Sequence, residues 1–271
     1  MDVSRIVDLD GISLYTEVHG DGPPSLLGIH GTPSSVLLWV DAAKELAHHG
    51  RCIIYDRRGF GRSERPDPFD RSDLDENVTD ALALLEQLSA TPAVVIGRST
   101  GGVVALELAR RHPDAVSALV LLEPALFTVD PAAKAWAERL RAAVLASASR
   151  DPARASESVM RTALGDETWE SFPDDLRTLF AEAGPAVLAE MRGTGLDLSA
   201  EPLDLSDDEL AAMERPTLLV SSEDSPDVLR RVNDRLAEAL PNAETALVPG
   251  GHLIHPAHPV VLGFVDRLKG E

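Results

Sequence analysis

Short, unbroken apolar runs recur along this chain, and stretches of helical period separate them. "SLLGIHG", "RCIIYD", "AVVIG", "VSALVLLE" and "PTLLVSSE" lack the polar alternation of a half-exposed strand. Such runs suit strands buried on both faces, which occur in mostly parallel sheets covered by helices. Helical periodicity follows at about 36–49, 73–89, 101–112, 226–240 and 256–269. Ahead of the alternation, "RIVDLDG" and "ISLYTEVHG" form a strand pair around Asp10-Gly11, a hairpin turn signal. "AETALV" supplies one more strand before the last helix.

Between residues 125 and 213 the alternation stops, and only helical patterns broken by prolines remain. The expected architecture is an α/β sheet flanked by helices, formed by residues 1–124 and 214–271. Residues 125–213 form an all-helical insertion after the sixth strand. In such sheets ligands bind beyond the carboxyl ends of the strands. Gly31, Asp56, Ser99, Glu123, the 223–225 loop and His252 all stand at those ends.

A formal net charge of -20 and a pI near 4.7 disfavour nucleic acid and anionic lipid as partners. The single cysteine, Cys52, lies in an apolar strand and excludes an internal disulfide. No Cys/His cluster has metal spacing, and no resident cofactor is expected. The first residues lack a basic, then apolar, leader pattern, and no apolar run reaches membrane-spanning length. A cytoplasmic protein acting on a small molecule is the resulting expectation, with a homo-oligomer left open.

Gly97-Arg98-Ser99-Thr100-Gly101 matches G-x-S-x-G between a strand and a helix. A turn this sharp strains the serine backbone, and glycines two residues either side leave room for it. Ser99 is the candidate nucleophile, and the Thr100 N–H forms half of an oxyanion hole. "HGTP" follows the third strand. Gly31 lets the backbone approach a substrate, Thr32 supplies the second N–H, and His30 braces the loop. A serine hydroxyl needs a base. In "VPGGHLIHPAHP", His252 sits at the loop tip, while His255 and His258 shape the entrance of the last helix.

"HGTP", "YDRRGFGRS", "GRSTGG" and "PGGH" resemble, in order and spacing, the α/β-hydrolase fold family. The resemblance implies an eight-stranded sheet with its second strand antiparallel, and a helical cap over the pocket. The usual acid of that family follows the seventh strand, where this chain has Ser225, with Asp224 one residue early. Glu123 ends the sixth strand, expected next to the nucleophile strand. A carboxylate closing an apolar strand needs a partner. Glu123 is the expected acid and Asp224 the alternative. The layout is similar to that of the zearalenone lactonases, which implies ester or lactone hydrolysis. A serine nucleophile argues against dehalogenation and epoxide opening, which use an aspartate in this fold. Rival readings are a general carboxylesterase, cofactor-free oxygenase, haloperoxidase or C–C bond chemistry, and a hormone-type receptor. Trp39, Phe127, Trp136, Met160 and Trp169 are the candidate pocket walls; Phe60 is read as structural.

Overall fold

A computed structural model describes residues 3–270. The strands are β1 (Val3–Leu9), β2 (Ile12–His19), β3 (Ser25–Ile29), β4 (Arg51–Tyr55), β5 (Ala93–Arg98), β6 (Val116–Leu122), β7 (Thr217–Ser222) and β8 (Ala243–Val248). They form one eight-stranded sheet in the order β1-β2-β4-β3-β5-β6-β7-β8. Only β2 runs against its neighbours, antiparallel to both β1 and β4. The expected sheet of this fold class is thus present. Gly11, at φ 88°, turns the first hairpin.

Helices α1 (Val40–Leu46), α2 (Leu74–Gln87), α3 (Thr100–Arg111), α10 (Asp227–Ala239) and α11 (Pro259–Leu268) flank the sheet. Alternate strand residues feed two cores, as the two-residue period of a strand requires. Leu27, Ile53, Val95, Leu121 and Leu219 pack with α2, α3 and α10. Leu26, Ile54, Val94, Val120 and Leu218 pack with α1 and α11. The helix expected over 36–49 is shorter, because a 3-10 turn at Val36–Leu38 precedes α1. The last helix starts at Pro259 rather than near 256, where the His258 ring nitrogen accepts a hydrogen bond from the Val260 N–H.

Between β6 and β7 lie α4 (Pro131–Ala148), α5 (Arg154–Leu164), α6 (Asp166–Ser171), α7 (Asp174–Glu182), α8 (Gly184–Arg192) and α9 (Asp207–Ala211). Their inner faces share the α2/α3/α10 core through Ala133, Leu140, Val187 and Met191. Residues 193–206 between α8 and α9 are not helical, contrary to the periodic reading. Backbone bonds pin this segment: Gly195 N–H to Glu201 O at 2.7 Å and Leu203 N–H to Gly195 O at 2.9 Å. It is also tied to the sheet body, since the Thr194 N–H donates to Asp73 Oδ1 at 2.7 Å. Among the described residues no helix is long and apolar enough to cross a membrane.

The ends of β3 and β5 and the start of α3 meet almost backbone to backbone. A Cβ on Gly97 would lie 2.3 Å from Gly101 O, and one on Gly101 would lie 2.2 Å from Ile29 O. Both obstacles are backbone, which cannot swing aside. Gly101→Ala is therefore expected to lower unfolding free energy by about 3 kcal/mol or more, or to prevent folding. Urea titration followed by circular dichroism reads this.

Candidate active site

The turn from β5 into α3 holds Ser99 at φ 54° and ψ -123°. L-residues rarely adopt such a backbone, which costs on the order of 1–3 kcal/mol. Neighbouring strands keep it there. The Ser99 N–H donates to Leu122 O at 3.1 Å, and the Ser99 carbonyl accepts from Gly102 and Ala125 at 2.8 and 3.1 Å. Thr100 is the first residue of α3, so its N–H has no partner within the helix.

One strand over, Glu123 is also strained, with φ 46°, and is completely buried. Its Oε2 lies 2.7 Å from His252 Nδ1. Oε1 accepts from the Ser222 N–H at 2.8 Å and from Ser222 Oγ at 3.0 Å, and Oε2 also accepts from Ser225 Oγ at 2.8 Å. Burial alone would raise the carboxyl's pKa. The hydrogen bond and charge of His252, with the Ser222 and Ser225 donors, outweigh it and hold Glu123 below the usual carboxylate range. Ser225, at the position of the family's usual aspartate, is thus a hydrogen-bond donor to Glu123. Asp224 is exposed, and its N–H bonds Gly250 O at 2.9 Å.

Thr32 is held through its side chain. Its Oγ1 accepts from Arg57 Nη2 at 2.6 Å and donates to Glu190 Oε2 at 2.7 Å. Arg57 Nη1 pairs with Glu190 Oε1 at 2.5 Å, and both residues are buried. Glu190 belongs to α8, so one ion pair joins the loop after β3 to the inserted helices. His30 braces the same loop, as expected. Its Nε2 accepts from the Arg57 N–H at 2.9 Å, so Nδ1 carries the proton given to Gly31 O at 2.8 Å. Burial and the neighbouring Arg57 push its pKa well below the usual histidine range.

The profile of the alpha/beta hydrolase fold family matches residues 24–259. The chain belongs to the alpha/beta hydrolase fold family. It is 30% identical to the putative carbamate hydrolase RutD of Azorhizobium caulinodans, over 94% of this chain and 96% of that protein. It is 40% identical to the lipase LipV of Mycobacterium tuberculosis over 119 residues, 42% of this chain and 43% of the lipase. The chain spans between 29% and 44% of the length of the first curated relatives it matches. A thermophilic esterase from Thermogutta terrifontis superposes over 100% of this chain and 98% of its own, with TM-score 0.73 and 25% identity.

Within this hydrolase fold, Gly31, Thr32, Ser99, Phe127, Trp136, Met160 and His252 line one cavity. Its free space is narrow, about 40 Å³. Two expected wall residues lie elsewhere. Trp39 is 1% exposed and packs in the α1/α11 core, where a Cβ on Gly28 would touch its ring at 2.8 Å. The 3-10 turn before it directs the ring under the sheet. Trp169 stacks on Phe172 and Phe180 in a small cluster within the insertion. Phe60 is buried against His30 and Arg57, a structural position. Cys52 is buried core, with its thiol pushed up to about 12 by burial.

Two charged residues of the cavity were not anticipated. Arg98 is buried, donates to Ile254 O at 3.3 Å in the His252 loop, and lies 5.6 Å from the Trp39 ring centre. Burial lowers its guanidinium to about 10. Asp197 comes from the irregular segment after α8; it is half-buried and lines the cavity. Burial, then the like charge of Glu190, raises its carboxyl to about 7. The Thr100 hydroxyl and Arg57 pull the other way, although Thr100 Oγ1 makes no hydrogen bond of standard geometry. The sequence signal was an aspartate between two leucines in "GLDLS".

Glu190→Ala leaves the buried Arg57 unpaired and is expected to cost about 3–5 kcal/mol, read by chemical denaturation. Asp197 makes a pH prediction opposite in sign to that of a carboxylate held below its usual range. Its folded pKa lies above an unfolded value of about 3.9. The folded state therefore holds the extra proton between the two values, and this group lowers stability as pH rises toward 7. Asp197→Asn should raise Tm at pH 8 relative to the parent protein and leave it nearly unchanged at pH 4.

Proposed function

We propose that this chain is a serine hydrolase that cleaves a carboxylic ester or lactone of a compact, mostly apolar small molecule. One observation carries this reading: the buried Glu123 carboxylate meets His252 Nδ1 at 2.7 Å, and His252 shares a cavity with the strained Ser99. The Nδ1–H given to Glu123 leaves Nε2 as an acceptor, the tautomer a base for Ser99 requires. Ser99 Oγ attacks the substrate carbonyl as His252 takes its proton. The Thr32 and Thr100 N–H groups stabilise the oxyanion. The imidazolium then protonates the leaving alcohol. Water, activated by the same histidine, releases the acid from the acyl-enzyme.

Glu123 orients the ring and stabilises the imidazolium; Asp224, exposed and bonded elsewhere through its backbone, does not. The helices between β6 and β7 act as a cap, since Trp136, Met160 and Leu140 come from them to wall the cavity. Likeness to a lipase and to an esterase supports ester chemistry. A resorcylic macrolactone of the zearalenone kind has less behind it, because so narrow a space must widen by movement of the cap before a large ring enters.

The test is acid release in a pH-stat from short alkyl esters, an aryl ester, a homoserine lactone and a resorcylic macrolactone. Ser99→Ala should abolish release. Glu123→Gln should lower kcat by about 10³–10⁴-fold, and Asp224→Asn should stay within a few-fold of the parent. The reverse order would move the acid to Asp224. No Ser99-dependent release would turn the reading toward non-hydrolytic chemistry or binding without turnover.

A further inference from the structure

Asp197 is the one carboxylate lining the cavity with Ser99 and His252 among the described residues. The turn that carries it is fixed. Leu196 and Leu198 on either side are buried in the core, and the Ser199 N–H and hydroxyl both bond Leu196 O, at 3.0 and 2.7 Å. The other residues between β6 and β7 that line the cavity are apolar, Phe127, Trp136, Leu140, Val159 and Met160 among them. Among the described residues it makes no ion pair; its polar neighbours are its own N–H and the Thr100 hydroxyl. Arg57, whose charge acts on it, is already committed to Glu190 at 2.5 Å. A carboxyl so placed has unused acceptor capacity, and a polar group in an apolar site is costly without a partner.

We propose that Asp197 is a specificity-determining residue: it accepts a hydrogen bond from a hydroxyl on the otherwise apolar body of the substrate and disfavours a body bearing a carboxylate. The partner is a neutral donor rather than an ammonium. Arg57 and Arg98 are both buried nearby, and an ammonium would have to give up its hydration in an apolar chamber. Pockets of this kind orient ligands with a few placed polar groups among apolar walls. The raised pKa fits an acid waiting for such a donor, since a bound hydroxyl favours the carboxylate form. This inference rests on the hydrolase reading for its kinetic test but not for its binding test.

The probes are ethyl alkanoates of four to six carbons, each matched with its ω-hydroxy and ω-carboxylate forms. For the parent protein the pH-stat should show a higher kcat/KM for the hydroxy ester than for the carboxylate ester at every length. Asp197→Leu should lower the ratio of hydroxy to unsubstituted ester by about tenfold or more at the length that reaches residue 197. Asp197→Asn, nearly isosteric, should relieve the discrimination against the carboxylate ester and guards against a packing defect in the leucine variant. Ratios equal in the parent and in Asp197→Leu at every length would overturn the proposal. Calorimetric Kd ratios for the same esters, measured on Ser99→Ala and on Ser99→Ala combined with Asp197→Leu, decide it without turnover. If no ester shows Ser99-dependent acid release, the hydrolase reading fails, and the Kd ratios alone support or overturn the role of Asp197.

Discussion

The site depends on backbone meeting backbone where β5 turns into α3. Gly97 and Gly101 admit no side chain there, and Gly31 lies against Arg98 O and the Ser99 Cβ, where an added Cβ would stand 2.9 and 3.0 Å away. This closeness brings the end of β3 beside the turn. It also forces Ser99 into a positive φ, and Glu123, one strand away, shares the condition. Strained residues persist where surroundings over-determine them. Here the surroundings are a central parallel sheet whose hydrogen bonds continue into both turns, through Ser99 N–H to Leu122 O and Glu123 N–H to Val220 O.

Three acids near the cavity, two buried and one half-buried, are treated in three ways, and the differences explain their roles. Glu190 has a guanidinium and is part of a clamp that fixes Thr32. Glu123 has donors on both oxygens and a histidine, so it stays ionised despite complete burial. Asp197 has neither a cation of its own nor a set of donors, and its pKa rises instead. Desolvation acts on both Glu123 and Asp197, and the local count of donors and charges decides which of the two stays ionised. The clamp also couples the inserted helices to the loop after β3, because Glu190 sits on α8 and Thr32 on that loop. Movement of those helices would be felt at the Thr32 N–H.

Much of this was legible in the order of residues, and the reasons are local. Apolar runs without alternation marked the buried strands, because a strand covered on both faces has no solvent side to give it alternating polar residues. The glycine spacing around Ser99 marked the sharp turn, because only glycines tolerate the contacts found there. The position of His252 followed from its loop at the end of β8. The choice of Glu123 over Asp224 was arguable from one strand-ending carboxylate. Of its donors, Ser225 stands out in the sequence only as the absence of an aspartate, and Ser222 does not stand out at all. What the chain alone determined, then, were the sheet, the turn at Ser99 and the edge on which the site lies, all of which depend on backbone conformation and short-range pattern. Only the tertiary structure decided that Trp39 goes under the sheet, that Trp169 stays within the insertion, and that Asp197 reaches the cavity. Those outcomes depend on where side chains from distant segments point once helices pack, and a non-helical turn among helical patterns gives no period from which to read that direction.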